Sequence, residues 1–109
     1  MVQRDYLMRM IEQFVQAVAR MLGLIKTGSL EEAKRELDAA YGTLGVSRSM
    51  VERLDDASLR LLFGDEKVLV IAMLLDTEGK LLRAEGKEAE ALSLEARAKR
   101  LGAPPRAPG

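Results

Sequence analysis

Acidic residues fall in pairs along this chain: Glu31 with Glu32, Asp55 with Asp56, and Asp65 with Glu66, while Glu85 and Glu88 stand one helical turn apart and Glu95 two turns further on. Carboxylates that converge between helices can hold Mg²⁺ and hydrolyse a phosphate ester, the chemistry of a small all-helical metal-dependent hydrolase. Each pair also has a structural role, because a carboxylate near a helix start accepts hydrogen bonds from free amides and complements the helix dipole. Glu31 and Glu32 sit where a helix should begin, Asp55, Asp56 and Asp65 at capping positions, and Glu85 and Glu88 at a solvated helix end. The expectation is no metal, no cofactor and no catalytic residue.

The other catalytic groups are missing. There is no His and no Cys, which excludes histidine-based triads, thiol nucleophiles and imidazole or thiolate metal sites. The glycines occur singly, so no phosphate-cradling loop is formed. Arg97, Lys99, Arg100 and Arg106 make a small basic cluster without interleaved aromatics, at a helix end that attracts cations anyway. Seventeen basic and seventeen acidic residues cancel, so there is no global field to draw in nucleic acid or an anionic membrane. The longest apolar run, Val68 to Leu75, is far too short to span a bilayer, and the charged opening does not fit a signal peptide. A soluble, cytoplasmic protein is expected, acting through contacts with another protein rather than through catalysis.

Two surfaces could make such contacts, both on the first helix. Asp5, Arg9, Glu12, Gln13, Gln16 and Arg20 form a polar stripe in which Asp5 and Arg9 are spaced for an i,i+4 ion pair. The stripe can be a partner-binding face or simply the solvated side of an apolar helix. The apolar side is unusually broad. A heptad seam, Leu7, Ile11, Phe14, Val18, Met21 and Ile25, is flanked by Met8, Val15 and Leu22 on one edge and by Met10, Ala17 and Leu24 on the other. One neighbouring helix cannot cover all of it, so one flank is expected to stay open and to join two copies as a homodimer. Helices between residues 46 and 64 folding back over the flank are the alternative cover.

The elements behind these surfaces are helical throughout. Hydrophobic residues make up 48% of the chain but aromatics only 4%, a composition of helix packed on helix. The first helix is expected over residues 3–26, ended by Gly28. A capping box of Ser29 and Glu32 opens a second, which runs to Gly42 or Gly45. Ser47 or Ser49, and then Asp55 or Asp56, cap two short helices, and Asp65 opens a long one that is apolar all round before Asp76. Gly86 ends it, and residues 87–101 form the last helix. The domain is placed at residues 1–101, with a flexible Pro/Gly-rich tail over 102–109.

One spacing occurs twice. Gly28, Ala33 and Ala40 recur 58 positions later as Gly86, Ala91 and Ala98, and alanines so placed let helix axes approach closely. With Gly79 ahead of the second copy, the pattern resembles the tetratricopeptide hairpin, although Met21 replaces the first-copy Gly and Ala17 and Leu75 replace its Trp. The resemblance implies an all-α fold of two antiparallel helical hairpins with tetratricopeptide-like packing, joined by short helices. Gly79 is then expected to admit the last helix near Ala91. RDYLMRMIEQ, EEAKREL and VIAMLLDTEGKLLRAEGKEAEAL also look like an uncharacterised bacterial family of small tetratricopeptide-like proteins. Its motif residues would be Asp5, Tyr6, Arg9, Glu12 and Gln13, then Leu75, Glu78, Gly79 and Gly86. That likeness implies a helical fold and supplies no activity.

Overall fold

A computed structural model describes residues 2–102, with side chains from residue 5 onward. All regular structure among the described residues is helical: α1 (Val2–Lys26), α2 (Leu30–Leu44), α3 (Arg48–Arg53), α4 (Asp56–Ala84) and α5 (Glu88–Gly102). Gly102, assigned to the tail by composition, is the last residue of α5, and a Cβ there would stand 3.4 Å from that of Ala72. The rest of the tail, 103–109, lies outside the described residues.

The repeated glycines make the same turn twice. After α1, the Gly28 amide donates to the Ile25 carbonyl at 3.1 Å and the Ser29 amide to Leu24 at 2.8 Å. After α4, Gly86 donates to Arg83 at 3.0 Å and Lys87 to Leu82 at 2.9 Å, each partner 58 positions further on. Gly28 and Gly86 hold φ of 83° and 84°, a left-handed conformation that a side chain would oppose. This turn also removes the expected capping box. Ser29, its amide drawn back to Leu24, has ψ of 65° instead of the extended value a cap needs, and its hydroxyl makes no capping bond. Ser47 and Asp55 do cap, accepting from the Met50 amide at 3.0 Å and the Ser58 amide at 2.7 Å.

α4 is two arms rather than one rod. Gly64, at φ 84° and ψ 165°, breaks the helical course between residues 56–63 and 65–84. The long arm is the centre of the core, with Val68, Val70, Ile71, Leu74, Leu75 and Leu81 buried. Its direction follows from two contacts. Lys67 borders one hollow with Tyr6 and Met10 near the start of α1, while Glu85, just past the arm's end, pairs at 2.6 Å with Lys34 near the start of α2. The arm therefore runs parallel to α1 and antiparallel to α2. α5 returns along it, with Ala91 beside Gly79 and Gly102 beside Ala72.

Ala33, Ala40, Ala91 and Ala98 are all buried at these seams. A Cβ built on Gly79 would meet Glu95 Cγ at 2.7 Å and the Ala91 carbonyl oxygen at 3.2 Å, so α4 and α5 approach so closely there that even a methyl group would displace Glu95. The equivalent residue of the first hairpin, Met21, is itself completely buried. α3 and the short arm are secured from α5: Arg97 donates to the Val51 carbonyl at 2.7 Å, to the Leu54 carbonyl and to Asp56 Oδ1 at 2.9 Å.

Candidate functional site

The carboxylate pairs do not assemble into a site; most are engaged by a cation or a cap, while Asp65 and Glu66 are exposed inside α4, make no ion pair among the described side chains, and the cap expected from Asp65 is not formed. Asp56 accepts from Arg97 and, at 2.8 Å, from Arg100. Glu85 meets Lys34, which also reaches Glu31 at 3.5 Å, and Arg83 joins Glu88 to Glu95. Asp55 caps α4. Among the described residues no three acidic side chains gather where they could hold a metal ion. The basic cluster is divided as well: Arg97 is largely buried and tied to α3, Arg100 is paired, Lys99 points to solvent, and Arg106 lies outside the described residues.

These pairings set the response to acid. Burial would raise the Asp56 carboxyl, but hydrogen bonds from Arg100 and Arg97 outweigh it and hold it below its ordinary 3.8. The Ser58 amide lowers Asp55 below 3.8, and Lys34 lowers Glu85 below 4.5. Glu78 goes the other way. It is one of two buried polar or charged residues among the described residues, and burial raises it above 4.5 against the pull of Arg48, which pairs with both Glu78 and Asp38. Beside it the Tyr41 hydroxyl is buried without a hydrogen-bond partner, and burial pushes its ionisation upward.

For the three depressed carboxylates the unfolded chain takes up protons first as pH falls, so the stability they lend is present above their ordinary values and is lost below them. For Glu78 the folded state holds the proton longer, so its contribution is present below 4.5 and is lost as pH rises through its folded value. Melting temperatures followed from about pH 3 to 7 should show both limbs. Asp56→Asn should flatten the acid limb at a lower overall stability, and Glu78→Gln should flatten the decline above 4.5. Unchanged limbs would remove these two groups from the account.

The polar stripe on α1 is split by the fold. Gln13 and Arg20 border a hollow shared with Glu36, Ala39 and Thr43 of α2, and Arg20 approaches Glu36 at 3.7 Å. Arg9 and Gln13 border a second hollow with Tyr6, Thr43 and Lys67. Asp5, Glu12 and Gln16 are exposed and line neither hollow. Asp5 and Arg9 form no ion pair among the described side chains, and the stripe is divided between the two hollows and open solvent.

The two apolar flanks have different fates. Met10, Ala17 and Leu24 are partly buried and packed on the core. Met8 and Val15 are 60% and 50% exposed, and Leu22 is half-buried. The exposure of Met8 and Val15 shows that the short helical segments leave this flank open, and Leu61 and Leu62 of the short arm themselves point to solvent. α4 fills the bed made by α1 and α2, where Phe14, Leu37, Tyr41 and Leu44 are buried, and it stops short of the flank.

The 58-residue offset also explains why the second hairpin offers no equivalent bed. Beside Leu69, Ala72 and Met73, its hollow is bordered by Asp76, Glu95 and Lys99, where the first hairpin has Val18, Leu37 and Tyr41. Three apolar residues become three charged ones, and a further helix could not be buried there without desolvating them. No protein-family model, curated protein or solved structure matches this chain. Among the described residues no helix is long and apolar enough to cross a membrane. Large apolar side chains are exposed on α1 at Tyr6, Met8 and Val15, on α4 at Leu61, Leu62 and Leu69, and on α5 at Leu92.

Proposed function

We propose that the chain is a non-enzymatic protein-interaction module of the cytoplasm, two hairpins with tetratricopeptide-like packing, related to the small bacterial proteins its motifs resemble. The open apolar flank of α1 carries this reading. Met8 and Val15 are 60% and 50% exposed, beside the exposed Tyr6, and each forgoes part of the about 1.5–3 kcal/mol that full burial contributes. Methionine suits a contact that must adapt its shape. Asp5 and Glu12 lie along the flank's outer edge, as the polar rim of an interface does.

A photo-crosslinking amino acid placed at Val15 in living cells tests it. A discrete protein adduct is expected from position 15 and none from the exposed polar position Glu90 on α5. Equal labelling from the two positions, or none from 15, overturns the reading.

A further inference from the structure

We propose that the Met8–Val15–Leu22 face of α1 pairs antiparallel with the same face of a second copy, about a two-fold axis at Val15. The proposal rests on the reading of that face as an interaction surface. The three residues are seven apart, so they form one row along the helix, with successive members about 10.5 Å apart. Placed antiparallel on Val15, the row matches itself: Val15 meets Val15 of the partner subunit, and Met8 meets Leu22 of the partner subunit.

The charges beside the row select this orientation. Asp5, Glu12, Ala19 and Lys26 form a second row of the same spacing on the solvent side, acidic at its start and basic at its end. All four are exposed, and Asp5, Glu12 and Lys26 enter no ion pair among the described side chains. Antiparallel pairing brings Asp5 to Lys26 of the partner subunit at both ends and sets Glu12 opposite a neutral alanine. In a parallel two-fold pair the row would lie on opposite sides of the seam in the two copies, with Asp5 at one end and Lys26 at the other, so neither attractive pair could form. Two-fold closure leaves no copy of the row uncovered.

Sedimentation equilibrium of the full chain at low salt, from low to high micromolar concentration, tests the pairing, with circular dichroism to follow the fold. The wild-type protein should approach the mass of a dimer, and Val15→Glu should give a folded monomer. Asp5→Lys alone and Lys26→Glu alone each turn two attractive contacts into repulsive ones and should weaken dimerisation about tenfold. The double variant, Asp5→Lys with Lys26→Glu, should restore it, because the swap recreates both pairs only in the antiparallel arrangement. These two sites are exposed, so their variants keep the test valid even if Val15→Glu fails to fold. A monomeric wild-type mass, or a double variant no tighter than the singles, overturns the pairing. If position 15 still crosslinks a different protein in cells, the interaction reading stands while the dimer falls; if it crosslinks nothing, both fall.

Discussion

Arg97→Ala should lower the stability of the folded chain by about 3 kcal/mol, the loss typical of removing one partner from a largely buried charged network. For a domain of this size that corresponds to a fall in melting temperature of about 12–20 °C. The Arg97 side chain is 15% exposed and its guanidinium has three destinations: the Val51 carbonyl, the Leu54 carbonyl and Asp56. Val51 and Leu54 lie at the end of α3, where the chain turns toward the Asp55 cap and the carbonyls have no helical successor to accept from. Removing the guanidinium leaves these acceptors and the Asp56 carboxylate short of donors together. Arg97→Lys restores a charge near Asp56, but a single ammonium cannot span three acceptors that the planar fork reaches at once. It should recover less than half of the loss. Thermal melts measure the total, and hydrogen exchange shows where it falls, with amides of α3 and the short arm of α4 losing protection before those of α1 and α2. A loss below about 1 kcal/mol would mean that α3 is held by Val51 packing alone.

Gly79→Leu should destabilise by about 3 kcal/mol although leucine is a far better helix former than glycine. The gain of nearly 1 kcal/mol in propensity is outweighed by the space it needs. Even the first carbon of a side chain would stand 2.7 Å from Glu95 Cγ and 3.2 Å from the Ala91 carbonyl oxygen. Glu95 can swing aside, losing its pair with Arg83, but the carbonyl belongs to the α5 backbone and moves only with the helix. Gly79→Ala therefore sits near balance, propensity gained against one displaced glutamate and a tight carbonyl contact. Gly23 is the control: it is also inside a helix, yet nothing stands within 4 Å of its Cβ position, so Gly23→Leu should be neutral or mildly stabilising. Equal effects of leucine at 79 and 23 in thermal melts would show that the α4–α5 approach has no energetic weight.

The contrast between those two glycines marks where one-dimensional reading stops. Both interrupt helical stretches with the same local cost, and only the pattern Gly79–Gly86–Ala91–Ala98 distinguished one as a packing residue. The helices themselves were legible because each carries its own signals: the heptad seam of α1, the glycines at 28 and 86 with their twin left-handed turns, and the Ser47 and Asp55 caps. The Ser29–Glu32 capping box was written in the sequence too, but the reverse bond from the Ser29 amide to Leu24 prevailed, since one residue cannot adopt both backbone conformations. The Gly64 break was partly visible, as a boundary between a short and a long helix, without its φ of 84°.

By itself the sequence determined an all-helical chain, two hairpins 58 residues apart, an absence of His and Cys chemistry and a first helix with more apolar surface than one neighbour could cover. Periodicity, capping and composition are local properties, and they are readable wherever neighbours in the chain are neighbours in space. Tertiary structure decided the rest: that Met10, Ala17 and Leu24 pack on the core while Met8 and Val15 stay half or more exposed, that Arg97 reaches across some forty positions to α3, and that Arg83 gathers Glu88 and Glu95. Which flank of a helix is buried depends on the azimuth at which a distant helix docks. That angle is set by the small residues on both partners and by the volume between them, and no single segment contains it.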